Sequence, residues 1–163
     1  MEMMLVVDHE KCNGCRLCEM FCSVKHSGVN NPNQSRIHVV KWPSKGLELP
    51  MMCLQCEEAP CIVACPKNAL TRDSAMSRVH YNKDLCIGCK MCMIVCPFGA
   101  VGYDISAKRV IKCDLCDGEP VCARVCIPGA LQYTQTSSVG LQKKRTAGFD
   151  FIEVMRKSYD IKR

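Results

Sequence analysis

Cysteine content and spacing constrain this chain more than any other feature. Sixteen of the 163 residues are cysteine, several times the usual share in intracellular proteins. They form four groups of four, each ending in a C-x3-C step, and we call these groups motifs one to four. In chain order the motifs are Cys12, Cys15, Cys18, Cys22; Cys53, Cys56, Cys61, Cys65; Cys86, Cys89, Cys92, Cys96; and Cys113, Cys116, Cys122, Cys126. Because the repeat is complete four times, the chain must fold around its cysteines.

The surrounding sequence favours metal binding over disulfides. Residues 1–8 contain no signal-peptide core and no twin arginine, and no apolar run approaches the roughly 18 residues of a membrane span. We therefore expect a soluble cytoplasmic protein, although export together with a signal-bearing partner stays open. Cytoplasmic thiols remain reduced, which favours metal ligation. The 48% hydrophobic share counts cysteine, so the other apolar residues make up about 38%, and metal is expected to help hold the fold.

The spacing within the motifs indicates which metal is bound. Motif three, followed directly by Pro97, matches the run C-x2-C-x2-C-x3-C-P of bacterial ferredoxins at every fixed position. In such a run three cysteines bind one 4Fe-4S cluster and the fourth binds a second cluster. Gly14 and Gly88, in C-x-G-C, are expected to supply positive φ angles and close approach of backbone to sulfide. Motif one departs from the pattern, because Ser23 follows its last cysteine instead of proline.

A zinc-structured binding module is the remote alternative, because paired C-x2-C steps also build zinc sites. Four complete cysteine quartets that each end in C-x3-C fit such zinc sites poorly. The formal charge of +6 would suggest nucleic acid as a partner. However, each 4Fe-4S core with four thiolates carries −2, so four clusters bring the total to about −2 and remove that argument.

Local patterns predict short strands between the motifs and short helices at them. The β-prone segments are 4–7, 37–42, 78–81, 101–103 with 110–111, and 131–134, and the helical turns are 17–24, 62–64, 91–95 and 123–125. Pro32, Pro43 and Pro50 predict a loop-rich connection between motifs one and two. From spacing alone, motif three can pair with motif two or motif four, because 20 residues lie between Cys65 and Cys86 and 16 lie between Cys96 and Cys113.

Two segments, residues 53–66 and 112–118, carry the most specific resemblance of this chain to a known family. With them, residues 5–135 resemble the four-cluster iron–sulfur subunits of molybdenum- and tungsten-pterin oxidoreductases, such as formate dehydrogenase, dimethyl sulfoxide reductase and aldehyde oxidoreductase. The resemblance implies an α+β fold of two ferredoxin-like units, one nested within the other. Motifs one and four would form the outer unit, at 1–48 plus 105–136, and motifs two and three the inserted unit, at 49–104.

The resemblance also implies four 4Fe-4S clusters with crossed ligands. Cluster one would be held by Cys12, Cys15, Cys18 and Cys126; cluster two by Cys113, Cys116, Cys122 and Cys22; cluster three by Cys53, Cys56, Cys61 and Cys96; and cluster four by Cys86, Cys89, Cys92 and Cys65.

The predicted function is electron transfer without catalysis, because the sequence has no G-x-G-x-x-G, no P-loop and no C-x-x-C-H haem site. The expected partner is the catalytic subunit of a tungsten- or molybdenum-pterin enzyme, with a flavin-, NAD- or ferredoxin-linked subunit as a further possibility, and neither nucleic acid nor membrane insertion is expected. The alternatives are a free polyferredoxin and an adaptor of hydrogenase or carbon monoxide dehydrogenase.

Several residues outside the motif cysteines are candidates for other roles. Residues 137–163 form a predicted partner-docking tail, in which Phe151, Ile152, Met155 and Tyr159 share helical spacing, although folding back on the body or disorder stays open. Arg16, Lys90 and Arg124 lie inside motifs and are candidates for tuning cluster potentials. His9, His26, His38 and His80 are expected to have ordinary surface or core roles.

Overall fold

The computed structural model describes residues 3–140, 144, 147, 148 and 152. In chain order its strands and helices are β1 Met3–Val7, α1 Leu17–Ser27, β2 Ile37–Trp42, β3 Leu47–Met52, α2 Pro60–Val63, β4 Leu70–Asp73, β5 Arg78–Tyr81, α3 Met91–Ile94, β6 Val101–Asp104, β7 Arg109–Lys112, α4 Val121–Arg124 and β8 Leu131–Gln135. Strands and short helices alternate around the motifs, as the sequence predicts for an α+β ferredoxin-type chain.

The strands form two-stranded antiparallel ladders. Strands β2 and β3, β4 and β5, and β6 and β7 are local hairpins. Strand β1 instead pairs with β8, with Val7 opposite Leu131 and Met3 opposite Gln135. This long-range ladder brings the segment before motif one next to the segment after motif four.

Two buried cores lie between these ladders, and cysteine contributes to both. Core one consists of Cys18, Cys22, Ile37, Val39, Met52, Cys122 and Leu131. Core two consists of Ala59, Cys61, Leu70, Val79, Cys92, Val101 and Val110. Aliphatic side chains therefore surround sulfur in each core, which agrees with the small share of other apolar residues in the chain.

Helix α1 has 11 residues, whereas α2, α3 and α4 have four each. Proline disfavours helical backbone in the residue before it, so Pro66 and Pro97 end the helical segments of motifs two and three. In motif one the residue at this place is Ser23, which is fully buried. Its hydroxyl donates to the carbonyl of Met20 at 2.8 Å and accepts from the N–H of Asn31 at 3.2 Å. The missing proline thus lets α1 continue to Gly28 while Ser23 anchors the loop that follows.

The predicted strands are present, but the loop-rich connection between motifs one and two was wrong over part of its length. Residues 47–52 form β3, which pairs with β2 from Ile37 opposite Met52 to Trp42 opposite Leu47. Pro50 is tolerated because a two-stranded ladder leaves one side of each strand without a strand neighbour. Strand β4 was also not predicted.

Most of the predicted tail at 137–163 lies outside the described residues. Of its apolar stripe only Ile152 is described, with 49% of its surface exposed. Within the described residues, no helix has both the length and the apolar character that crossing a bilayer requires.

Candidate iron–sulfur cluster sites

The loops of the motifs bend through left-handed backbone. Gly14 and Gly88 have φ angles of 67° and 68°, which confirms the positive φ angles expected of them. A Cβ atom at Gly88 would lie 2.8 Å from the carbonyl oxygen of Lys108, so this position also needs the space. Arg16 and Lys90, two residues further on, are left-handed as well. Successive amides in such turns form concave surfaces that suit an anionic group.

The last cysteine of each motif accepts a backbone hydrogen bond. The N–H groups of Ala69, Ala100 and Leu131 donate to Sγ of Cys65, Cys96 and Cys126 at 3.3, 3.4 and 3.3 Å, respectively. Sγ of Cys22 accepts from the N–H of Arg36 at 3.3 Å, because α1 carries the chain past the turn used by the other motifs. Such donors stabilise thiolate sulfur.

Cysteines of motifs two and three meet around one pocket. Its lining includes Cys65 together with Cys86, Cys89 and Cys92. The last cysteine of motif two therefore lies with the first three of motif three. Burial alone would raise the pKa of Cys86, but the nearby Tyr81 hydroxyl and backbone N–H groups hold that pKa below its usual value.

The last cysteines of the other motifs also lie near cysteines of a different motif. Burial raises the pKa of Cys18 to about 12, and its neighbours Cys15 and Cys126 add to the shift. Burial likewise raises the pKa of Cys61, with Cys53 and Cys96 as neighbours. The pKa of Cys122 is raised by burial and by nearby Cys113, Cys22 and Cys116.

These donor sets fit iron–sulfur clusters. Each set contains four cysteine sulfurs, the ligand type that clusters require, and backbone donors point at the sulfur atoms. Burial that raises thiol pKa values makes a free thiolate costly, and metal that replaces the thiol proton offsets this cost. The quartets could therefore hold 4Fe-4S clusters, which would supply one-electron redox chemistry.

Two residues at the sites were not predicted. Lys112 is 2% exposed, and its Nζ lies 3.2 Å from Sγ of Cys53. Gln55, inside motif two, accepts a hydrogen bond from Lys112 through Oε1 at 3.1 Å. One sequence signal could have identified Lys112. Side chains alternate between the two faces of strand β7, so Lys112 lies on the same face as buried Val110.

The residues proposed to tune potentials lie at the surface. Arg16, Lys90 and Arg124 are exposed, and Nζ of Lys90 lies 4.2 Å from the centroid of the Tyr103 ring. His26, in contrast, lies closer to a proposed cluster ligand than the sequence predicts. Its Nε2 is 3.6 Å from Sγ of Cys116 and 3.6 Å from Oδ1 of Asp114. Burial and the nearby Arg36 lower its pKa.

Cysteine quartets in loops and short helices between small antiparallel ladders, with amide donors directed at sulfur, define a ferredoxin-type iron–sulfur protein. The model of the 4Fe-4S dicluster domain matches residues 45–136, and that of the 4Fe-4S binding domain matches residues 9–25. The chain belongs to the 4Fe-4S dicluster domain family. This membership favours iron over the zinc alternative.

Three curated relatives are similar over most of the chain. The polyferredoxin-like subunit of an aliphatic sulfonate oxidoreductase from Pyrococcus furiosus is 40% identical over 113 residues, covering 69% of this chain and 64% of that protein. The putative electron transport protein YsaA of Escherichia coli is 40% identical, covering 71% of this chain and 77% of the relative. Electron transport protein HydN of Escherichia coli is 35% identical, with 72% and 77% covered. The chain thus spans just under two thirds of the Pyrococcus protein.

Proposed function

We propose that this protein relays single electrons through four 4Fe-4S clusters and is a non-catalytic subunit of an oxidoreductase complex. The observation that carries the proposal is that the last cysteine of each motif has cysteines of another motif as neighbours. Two of the similar proteins are named for electron transport and one is named a subunit of an oxidoreductase.

The proposed ligand sets follow this arrangement. They are Cys12, Cys15, Cys18 and Cys126 for cluster one; Cys113, Cys116, Cys122 and Cys22 for cluster two; Cys53, Cys56, Cys61 and Cys96 for cluster three; and Cys86, Cys89, Cys92 and Cys65 for cluster four. The lining of the pocket at Cys65 supports the fourth set, and the thiols that neighbour Cys18, Cys61 and Cys122 support the others.

Neighbouring thiols of different sets support a linear order of the clusters. Cys122 of cluster two has Cys18 of cluster one among its neighbours. Cys113 of cluster two neighbours Cys53 of cluster three. Cys92 of cluster four neighbours Cys61 of cluster three. The proposed order is therefore one, two, three, four.

Exposure of the cysteines supports electron exchange at the two ends of this order. Of the sixteen cysteines, Cys15 in cluster one and Cys89 in cluster four are exposed, and the others are buried or half-buried. Electrons would then pass to and from partners at clusters one and four, while clusters two and three lie inside.

The two cores support nested units. Core one combines residues of motifs one and four with the β2–β3 hairpin, and core two combines motifs two and three with the other hairpins. The unit boundaries proposed from sequence need adjustment, because Met52 packs in core one and Val110 in core two. We propose an inserted unit at about 53–112, which keeps the β6–β7 hairpin in one piece.

A tungsten- or molybdenum-pterin catalytic subunit is the proposed partner. The resemblance of motifs two and four to subunits of such enzymes supports it, as does the oxidoreductase named in the Pyrococcus relative. A free polyferredoxin is the second candidate, because YsaA and HydN are named electron transport proteins without mention of a catalytic partner.

Metal analysis and reductive titration of anaerobically purified protein test the relay. About 16 iron and 16 sulfide per chain with negligible zinc are expected. Mainly zinc, or about 8 iron, would overturn the proposal. Purification from the native host separates the two partner hypotheses: a complex containing tungsten or molybdenum supports the first, and an isolated, redox-active chain supports the second.

A further inference from the structure

A buried lysine lies between two of the proposed cluster sites. Lys112 ends β7, and its ammonium has four acceptors within reach. They are Sγ of Cys53 at 3.2 Å, Oε1 of Gln55 at 3.1 Å, and the carbonyl oxygens of Val79 and Cys113, each at 3.2 Å. An ammonium has three N–H donors, and four acceptors are enough to engage all three. This satisfies a cation that would otherwise be costly to bury.

The position of this ammonium is fixed by a polar network. Nε2 of Gln55 donates to the carbonyl of Cys113 at 2.9 Å, and its Oε1 accepts from the N–H of Val79 at 2.9 Å. Arg72 donates through Nη1 to the carbonyl of Gln55 at 2.9 Å. Gln55 and Lys112 therefore connect motif two, strand β5 and motif four at one point.

The Lys112 ammonium lies between the proposed sites of cluster two, in the outer unit, and cluster three, in the inserted unit. Cys53 belongs to the proposed set of cluster three and Cys113 to that of cluster two. The contact with Cys53 is made to sulfur itself, whereas the contact with Cys113 is made to its backbone carbonyl. The lysine charge therefore acts more strongly on cluster three than on cluster two.

We infer that Lys112 is a positioning residue that raises the reduction potential of cluster three and makes it the first cluster of the relay to be reduced. This inference rests on the proposed function. A positive charge beside a ligand sulfur stabilises the more negative, reduced cluster, and burial strengthens the effect because the local dielectric constant is low. In the electron step one cluster is oxidised by one electron and its neighbour is reduced by one, and no bond is made or broken at Lys112.

The charged residues at the ends of the relay differ from Lys112. Glu19, a buried carboxylate, follows Cys18 of cluster one, and Lys90 near cluster four is exposed. A carboxylate disfavours the reduced state of its neighbour, and an exposed cation is screened by water. Both contrasts favour electron storage in the interior at cluster three.

The test is a potentiometric titration of the whole, cluster-loaded chain followed by electron paramagnetic resonance. The variant is Lys112→Met, which keeps length and removes charge. The matched control is Lys83→Met, which removes the same charge from an exposed position. Cys56→Ser identifies the signal of cluster three.

In the wild type the signal of cluster three appears first on reduction. In Lys112→Met its reduction equilibrium weakens at least tenfold, a fall of about 59 mV for a one-electron couple. Lys83→Met leaves the midpoint of cluster three unchanged, and Lys112→Arg keeps that midpoint close to the wild-type value.

An unchanged midpoint in a Lys112→Met chain that holds all four clusters would overturn the inference. A wild-type chain without four reducible clusters would overturn the proposed function instead. If Lys112→Met loses iron, Lys112→Gln provides the second measurement, because its amide can donate hydrogen bonds at this place without the positive charge and should lower the same midpoint. Loss of cluster three in both variants would assign Lys112 a structural role and also overturn the inference.

Discussion

The carboxylate of Glu19 accepts a hydrogen bond from the backbone N–H of Val39. Both residues are buried, so a carboxylate that directly follows Cys18 in helix α1 is held against strand β2 and away from water. The interaction joins α1 to the β2–β3 hairpin and places an acidic group next to a proposed ligand of cluster one.

Glu19→Gln should raise the reduction potential of cluster one. Glutamine retains an oxygen that can accept from Val39 but removes the negative charge that disfavours reduction. Potentiometric titration measures the midpoint, with Glu10→Gln as the control because Glu10 is exposed. A midpoint that stays unchanged or falls would show that Glu19 acts only as a structural acceptor.

Cys22→Ser should alter cluster two and leave cluster one nearly unchanged. Cys22 neighbours Cys122 and Cys116, although it belongs to motif one by sequence. Electron paramagnetic resonance of the reduced variant measures the effect, and Cys15→Ser is the companion variant that should alter cluster one instead. If Cys22→Ser perturbs only cluster one, the crossed ligand sets are refuted.

Ser23→Pro should destabilise the protein, even though proline stands at the equivalent place in motifs two and three. Inside α1 proline removes a backbone hydrogen bond and clashes with the preceding turn, which costs about 3 kcal/mol. Anaerobic denaturant unfolding of the cluster-loaded chain measures the cost. Ser23→Ala separates the contribution of the hydroxyl, since it removes the hydrogen bonds with Met20 and Asn31, each worth about 0.5–1.5 kcal/mol. Wild-type stability in Ser23→Pro would contradict this account of α1.

Deletion of residues 137–163 should preserve iron content and the visible spectrum, because β8 ends at Gln135 and both cores lie before it. We expect the shortened chain to lose co-purification with its partner and electron delivery to it. Iron analysis and purification from the native host measure both properties. Lost clusters would indicate that the tail folds back on the body, and normal assembly would show that it is no interface.

Sequence patterns predicted strands where apolar residues cluster or alternate, as in β1, β2 and β8. They missed β3, which contains Pro50, and β4, in which only Leu70 is apolar; both strands depend on a hairpin partner. The neighbours of each motif could not be obtained from spacing, because they depend on the ladder between β1 and β8. Lys112 was missed for a similar reason, since its acceptors come from residues 53, 55, 79 and 113.

The ladder between β1 and β8 has a consequence for synthesis. Core two draws all its buried members from residues 59–110, so it can close before the rest of the chain leaves the ribosome. Core one needs Cys122 and Leu131, and β1 has no strand partner until β8 has been made. The cysteines of motif one are therefore translated first but wait as unpaired thiols until motif four arrives. With the proposed ligand sets, cluster assembly would proceed from the inside of the sequence outward, and the motif made first would be among the last to be completed.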